Sequence, residues 1–360
     1  MNLNISAAHN NYSSRPADER FETITALKEA VGNRAANSVE RKLKISDLRA
    51  AVANDNNVVL EADGEELTPT HWGFGQVAKA GGAPAPYLRT LSPELAVSCL
   101  NYGLDRSVRE EPDARLKTLV LDRGGMGTNS LRALTSTTYG RIWDKDVVQA
   151  VENLNEETGN RFDNPPEWGG KKGGLYASDR DVFIFMIDGG SIVDGGGERD
   201  QLHRGFFASN SEVGNSGLNI MTFLFRWCCG NYMIGGAEEL NALNIIHTHK
   251  GPQHFVQLAM PFLLEFMNSS TKPMEAAIKR AKCIILPDEE KEYISNFRNR
   301  GFGVRELTEA KRLALEEEGQ FVNLWDSIQG LTAYARSLPN VDTRVDLQKR
   351  AGSLLKLAAI

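Results

Sequence analysis

Cysteine is scarce, four in 360 residues, and two of the four are the adjacent pair Cys228 and Cys229 with no Cys-x-x-Cys spacing. That rules out a disulfide framework or a cysteine-built zinc site as the organising device. The adjacent pair reads as small buried hydrophobes in a reducing compartment. A basic excess is missing too: 41 Lys and Arg stand against 47 Asp and Glu, a net charge of −6. No global attraction to phosphate follows, although a local groove can still be basic. Long apolar runs are also lacking. The best candidate, "GLNIMTFLFRWCCGNYMIGG", is broken by Arg226 and falls short of the roughly 20 clean apolar residues a membrane span needs. The opening "MNLNISAAHNNYSSRPADER" has no apolar core of a signal peptide. A soluble cytoplasmic protein without a membrane partner is the expectation.

Catalytic signatures are missing as well. "RGGMGTNS" lacks the Gly-Lys-Ser/Thr ending of a phosphate loop, and no helix follows "DGGGERD". Neither "NSEVG" nor "SNSE" is the Gly-x-Ser-x-Gly elbow of a hydrolase. Hairpin turns account for most of the glycines.

The chain does carry ordinary globular composition, 41% hydrophobic and 24% charged, and clear changes of period. Residues 1–20 read as a flexible tail and 21–112 as a mostly helical region. There Phe21, Ile24, Leu27 and Val31 form an apolar stripe. Residues 70–88 have some helix-turn-helix flavour, spoiled by Pro84 and Pro86. A β-rich core is expected over 113–252, opening with a hairpin in "RLKTLVLDRGGMGTNSLRALTSTTYG". A short helix is expected from Asp144, with Asp144 as its N-cap, and a turn at Asp188-Gly189-Gly190. Residues 253–360 are helical throughout and pack on the core. Strands first and helices afterwards make the fold class α+β, with a central, mostly antiparallel sheet.

Five groups of residues are candidates for function. Cations and aromatics interleave in the β region: Arg123, Arg132, Tyr139, Arg141, Trp143, Lys145, Lys171, Lys172 and Arg204, with Lys250 near its end. Cations for phosphates and rings for bases are what single-stranded nucleic acid requires; a solvated sheet face is the alternative. The cassette Ser209, Asn210, Ser211, Glu212 with Gly214 suits a sheet corner, and Glu212 is expected to pair with Arg226 across the sheet. In a strand, His247 and His249 share a face and His254 returns from the next turn, which could hold a divalent metal. Asp179, Asp181, Asp188 and Asp194 could do the same, or could simply form turns. The stripe Leu324, Trp325, Ile328, Leu331 and Tyr334 offers a protein-binding face.

Three stretches, "SLRALTSTTYGRIWDKDVVQAV", "ASNSEVGNSGLNIMTFLFRWCCGNYMIGG" and "NLWDSIQGLTAYARSLPNVDTRVDLQKRAGSLLKLA", resemble a phage- and plasmid-borne family catalogued as a domain of unknown function. The likeness spans roughly residues 65 to 358. It departs where the family has Cys-x-Asn-Gly and this chain has Cys229-Gly230-Asn231. The resemblance implies a mobile-element origin and a bacterial host cytoplasm, and no activity. The expectation is a phage nucleic-acid-binding protein, preferring single strands and serving annealing or recombination as a homo-oligomer, with no cofactor. A metal-dependent nuclease-like enzyme and an effector that binds a host defence or replication protein are the alternatives.

Overall fold

A computed structural model describes residues 18–125, 127–165, 173–196, 201–226, 231–234 and 242–358. In chain order, the first half contains β1 (Glu19–Arg20), α1 (Ile24–Ala36), β2 (Ser38–Lys44), β3 (Leu48–Val52), β4 (Val58–Ala62), β5 (Glu65–Pro69), α2 (His71–Ala80), α3 (Ala85–Leu88), α4 (Pro93–Glu110), β6 (Arg115–Leu121), β7 (Asn129–Ser136) and α5 (Asp144–Glu157). Strands β8 (Phe162–Asp163), β9 (Leu175–Ala177), β10 (Val182–Asp194), β11 (Gln201–Asn210), β12 (Leu218–Arg226), β13 (Asn231–Ile234) and β14 (Ala242–Ile245) follow. Six helices close the chain: α6 (Gly251–Asn268), α7 (Lys272–Cys283), α8 (Glu290–Arg298), α9 (Val304–Glu318), α10 (Leu324–Arg336) and α11 (Val341–Ser353). The class is α+β, as the order of periods implies. Among the described residues, no helix is long and apolar enough to cross a membrane.

The strands form two sheets. One has the order β2-β6-β7-β5-β4-β3, antiparallel except where β5 runs parallel to β7. The other has the order β1-β9-β10-β11-β12-β13, with β8 on β10 and β14 on β12. Residues 113–252 are therefore not one core: the β6–β7 hairpin completes the first sheet and the later strands build the second. The region 21–112 is also less helical than its composition suggests, because it supplies four strands. Strand β2, "SVERKLK", is an edge strand that buries only Leu43, so its charged, helix-forming side chains mask a pairing made by β6. Asp63-Gly64, both with positive φ (51° and 77°), makes the tight turn between β4 and β5.

The second sheet is covered on both faces, which explains the unbroken apolar run "VFIFMI" of β10. Alternate residues point opposite ways. Ile184, Met186 and Phe206 pack under α1, α5 and α6, with Leu27 and Val31 of the expected stripe at the centre of α1. Phe183, Phe185, Phe207, Phe223 and Phe225 face Val341 and Val345 of α11. The expected turn at Asp188-Gly189-Gly190 is instead a bulge within β10, where the register with β11 shifts between Ile187 and Ile192. Arg161 holds the buried Asp188 carboxylate at 2.5 Å, and Asp188 Oδ1 accepts from the Gly190 N–H at 3.1 Å. Side chain and backbone together keep the strand going past the glycines.

The C-terminal helices fill a separate cluster with Val193, Leu202 and Leu224 of the sheet. Helix α10 runs through its middle. Leu324, Trp325, Ile328 and Leu331 are buried and Tyr334 packs against them, so this stripe is core and offers no face to a partner protein. Its Gly330 allows the approach of α9, since a Cβ there would sit 2.1 Å from the Ala310 carbonyl oxygen.

Candidate functional site: a cationic cleft over a buried charge network

The polar cassette stands where the two sheets meet. Strand β11 ends at Asn210 and the chain turns back through residues 211–217, with Gly214 at φ 84°, a left-handed position that favours glycine. Glu212, 1% exposed, reaches into the first sheet: Oε1 pairs with Arg132 Nη1 on β7 at 2.5 Å. Its Oε2 accepts from the Asp144 N–H at 3.1 Å. The expected Glu212–Arg226 pair does not form. Arg226 instead pairs with Glu318 of α9, Nη2 to Oε2 at 3.1 Å, and Nη1 contacts Gln329 at 3.3 Å. Sequence proximity favoured Arg226, but the sheet-to-sheet approach brings Arg132 closer.

Asp144 is the first residue of α5 and not its cap; Trp143 holds that position without a side-chain cap bond. The Asp144 carboxyl is 1% exposed. Burial, and then the adjacent Glu212 charge, push its pKa well above the ordinary value, against the pull of Arg34, Asn210 and Arg132. The pair therefore divides its roles: Glu212 makes the ion pair with Arg132, and burial favours the protonated form of Asp144.

Asn210 fixes the next link. Its Nδ2 donates to the Ile142 carbonyl (2.9 Å) and to Asp144 Oδ1 (2.7 Å), so Oδ1 faces His247 Nε2 at 2.9 Å. That assigns the His247 proton to Nε2 and leaves Nδ1 to accept from the Tyr139 hydroxyl at 2.5 Å. Burial, reinforced by Arg141, lowers the His247 pKa to about 4, against the pull of Glu212. Burial raises that of the Tyr139 phenol. The phenol also lies 3.0 Å from the Ser211 carbonyl oxygen. Locked inward and hard to ionise, Tyr139 is a poor nucleophile, and its half-buried ring lines the cleft beside the Arg141 guanidinium. The network is a clamp between sheets.

The clamp has a pH signature. His247 is neutral when folded, with a pKa of about 4 against 6.5 unfolded. Its contribution is whole above 6.5 and is lost as pH falls towards 4, to the extent of about 3 kcal/mol. His247→Gln, which keeps one donor and one acceptor, should flatten the acid side of the stability profile over that window. Urea midpoints of both proteins at pH 7 and pH 4.5 check it.

Above the clamp lies a cleft of about 840 Å³ between the α2–α3 segment and the 211–217 turn. Trp72 and Gln76 of α2 donate to the Val213 carbonyl at 3.0 and 2.8 Å, and Gln76 Oε1 accepts from the Leu134 N–H at 2.8 Å. These side chains are a fixed wall. Tyr139 and Gly214 lie opposite. Lys79, Arg89 and Arg180 line the cleft, and among the described residues no carboxylate does. Arg180 is met by Asp181 at 3.0 Å and Asp342 at 2.5 Å. Arg89 lies over Phe74 and donates to the His71 carbonyl at 2.8 Å. Lys79 is exposed, and among the described residues no carboxylate pairs with it.

The cations singled out in the sequence are not the ones that line this cleft. Arg132 and Arg204 are buried, Arg204 donating to Ser191 Oγ at 2.9 Å and the Ser269 carbonyl at 2.8 Å. Arg141 is buried against Glu40 at 2.9 Å, its guanidinium 5.3 and 5.6 Å from the Tyr139 and Trp143 rings. Arg123 donates to Ser130 Oγ at 3.0 Å, and exposed Lys145 pairs with Asp146 at 2.7 Å. Lys250 is exposed at the head of α6. Lys171, Lys172, Cys228 and Cys229 lie outside the described residues. The interleaved cations and aromatics thus serve internal pairing far more than an open face.

His247, His249 and His254 do not form the ligand set their spacing suggested. His247 is buried in the clamp after β14 has ended, whereas His249 and His254 are exposed. Among the described residues, no three His, Cys, Asp or Glu side chains gather as metal ligands would. Asp181 is held by Arg180 and Asn215, Asp188 by Arg161, and Asp194 caps the Gly196 N–H at 2.8 Å, so these three aspartates are turn and ion-pair groups, whereas Asp179 Oδ1 is buried without a hydrogen-bond partner. Trp72, Lys79 and Arg89 escaped the sequence reading; the signal available was the α2 face of positions 72, 75, 76 and 79.

No family model, no curated protein and no solved structure matches the chain. The resemblance to the phage and plasmid family rests on its motif residues alone.

Proposed function

We propose that the protein binds single-stranded nucleic acid, and that the strand enters the cleft beside α2. One observation carries the reading: on a chain of net charge −6, a cleft of about 840 Å³ is lined by cations and aromatics and, among the described residues, by no carboxylate. Lys79 and Arg89 meet phosphate, and the Trp72 and Tyr139 rings meet bases, a stacking contact worth roughly 1–3 kcal/mol per base. Locking of Trp72 and Gln76 by the Val213 carbonyl lowers the ordering cost of that contact. On a mobile element, as the resemblance implies, such binding serves strand annealing or recombination.

Fluorescence anisotropy with a labelled oligothymidylate and a blunt duplex of equal length, across a salt titration, tests the reading. The expected result is affinity for the single strand that falls as salt rises. No binding at low salt, or equal affinity for the duplex, sinks it.

A further inference from the structure

Gly75 lies within α2, where a glycine weakens a helix relative to alanine. Packing explains its neighbour: a Cβ on Gly73 would meet the Leu131 carbonyl oxygen at 2.5 Å. No such reason holds for Gly75. A Cβ there meets only Arg89 Nη2, at 3.7 Å, and the space beyond is the cleft. Positions 72, 75 and 79 share one helix face, so this gap lies between the fixed Trp72 ring and the Lys79 ammonium. Thr135 also lines the cleft, at 8% exposure, with its methyl group towards Gly214.

We infer that Gly75 is the floor of a seat for one unpaired nucleotide. Its base lies over Gly75 against Trp72, and its phosphate lies between Lys79 and Arg89. The inference rests on the nucleic-acid reading of the cleft and adds to it that the recognised unit is a single nucleotide, small enough to bind free. A side chain at position 75 fills the seat without touching backbone.

The test is competition. Labelled oligothymidylate on the wild-type protein is challenged with thymidine monophosphate, adenosine monophosphate and uncharged thymidine. Both monophosphates should displace it and thymidine should not. Gly75→Leu should weaken oligonucleotide binding at least tenfold and abolish displacement by monophosphates. Gly75→Ala, the smaller plug, should weaken both two- to fivefold while raising the thermal midpoint by about a degree or two. If Gly75→Leu and Gly75→Ala bind both ligands as the wild type does while Lys79→Glu weakens the oligonucleotide, no base sits over Gly75. The inference then fails and strand binding stands. If the wild type binds neither oligonucleotide nor monophosphate, both fail.

Discussion

Glu212→Gln should lower the unfolding free energy by about 3–5 kcal/mol, the usual loss when one member of a buried ion pair is removed. Arg132 is 2% exposed and Glu212 1%, so the guanidinium stays charged and loses the carboxylate 2.5 Å away. The second carboxyl makes the case more specific. Burial first, and the neighbouring Glu212 carboxylate second, raise the Asp144 pKa. With that charge gone, Asp144 ionises more readily and partly takes over the pairing with Arg132. Asp144→Asn alone should therefore cost less than about 1 kcal/mol at pH 7. A folded pKa raised above the unfolded value gives stability that is whole below the unfolded value and declines as pH rises through the folded one. The asparagine variant should lose that decline. The Glu212→Gln/Asp144→Asn double variant should be less stable than the two single losses predict, because no group is left to answer Arg132. Urea unfolding of the four proteins measures the cycle. Simple additivity would mean that the two carboxyls do not share Arg132.

The second large effect is on binding. Lys79→Glu on the exposed face of α2 disturbs no described ion pair, so folding should be nearly unchanged. Each phosphate contact removed from a single-strand complex takes about 0.7 from the slope of log affinity against log salt. Lys79→Glu adds repulsion to that loss. Together with Arg89→Gln it should weaken oligonucleotide binding roughly 10- to 100-fold at low salt and lower the salt slope by about 1.4. Arg89 also supports the α2–α3 junction through the His71 carbonyl, so an unchanged thermal midpoint is required before its effect is read as binding. Loss of affinity with an unchanged slope would mean that these cations shape the cleft but meet no phosphate.

Local features were legible in the sequence and long-range pairings were not. The hairpin of β6 and β7, the α1 stripe around Leu27 and Val31, and the run of helices after Gln253 are each written in neighbouring residues. Strand β2 was obscured because a charged edge strand carries helix-forming side chains. Asp63-Gly64, the turn between β4 and β5, was an available signal that went unread. The cassette could be seen as a polar corner, yet its partner could not: Arg132 lies eighty residues from Glu212, and Arg226 is closer along the chain. The same blindness made Arg132, Arg141 and Arg204 look like phosphate ligands. Cations count as available only after their internal partners are known, and those partners come from pairing between sheets. The cleft itself depends on the meeting of α2 with the 211–217 turn, so no single stretch could announce it.

The most direct measurement is photocrosslinking of a single strand carrying 5-bromodeoxyuridine, followed by mass-spectrometric mapping of the attached peptide. Crosslinks should fall on the α2 peptide that holds Trp72, with a second set at Tyr139, and should disappear when unlabelled thymidine monophosphate is in excess. Crosslinks confined to the surface around Arg123 and Lys145, or to the exposed face of α6, would contradict the cleft as the binding site.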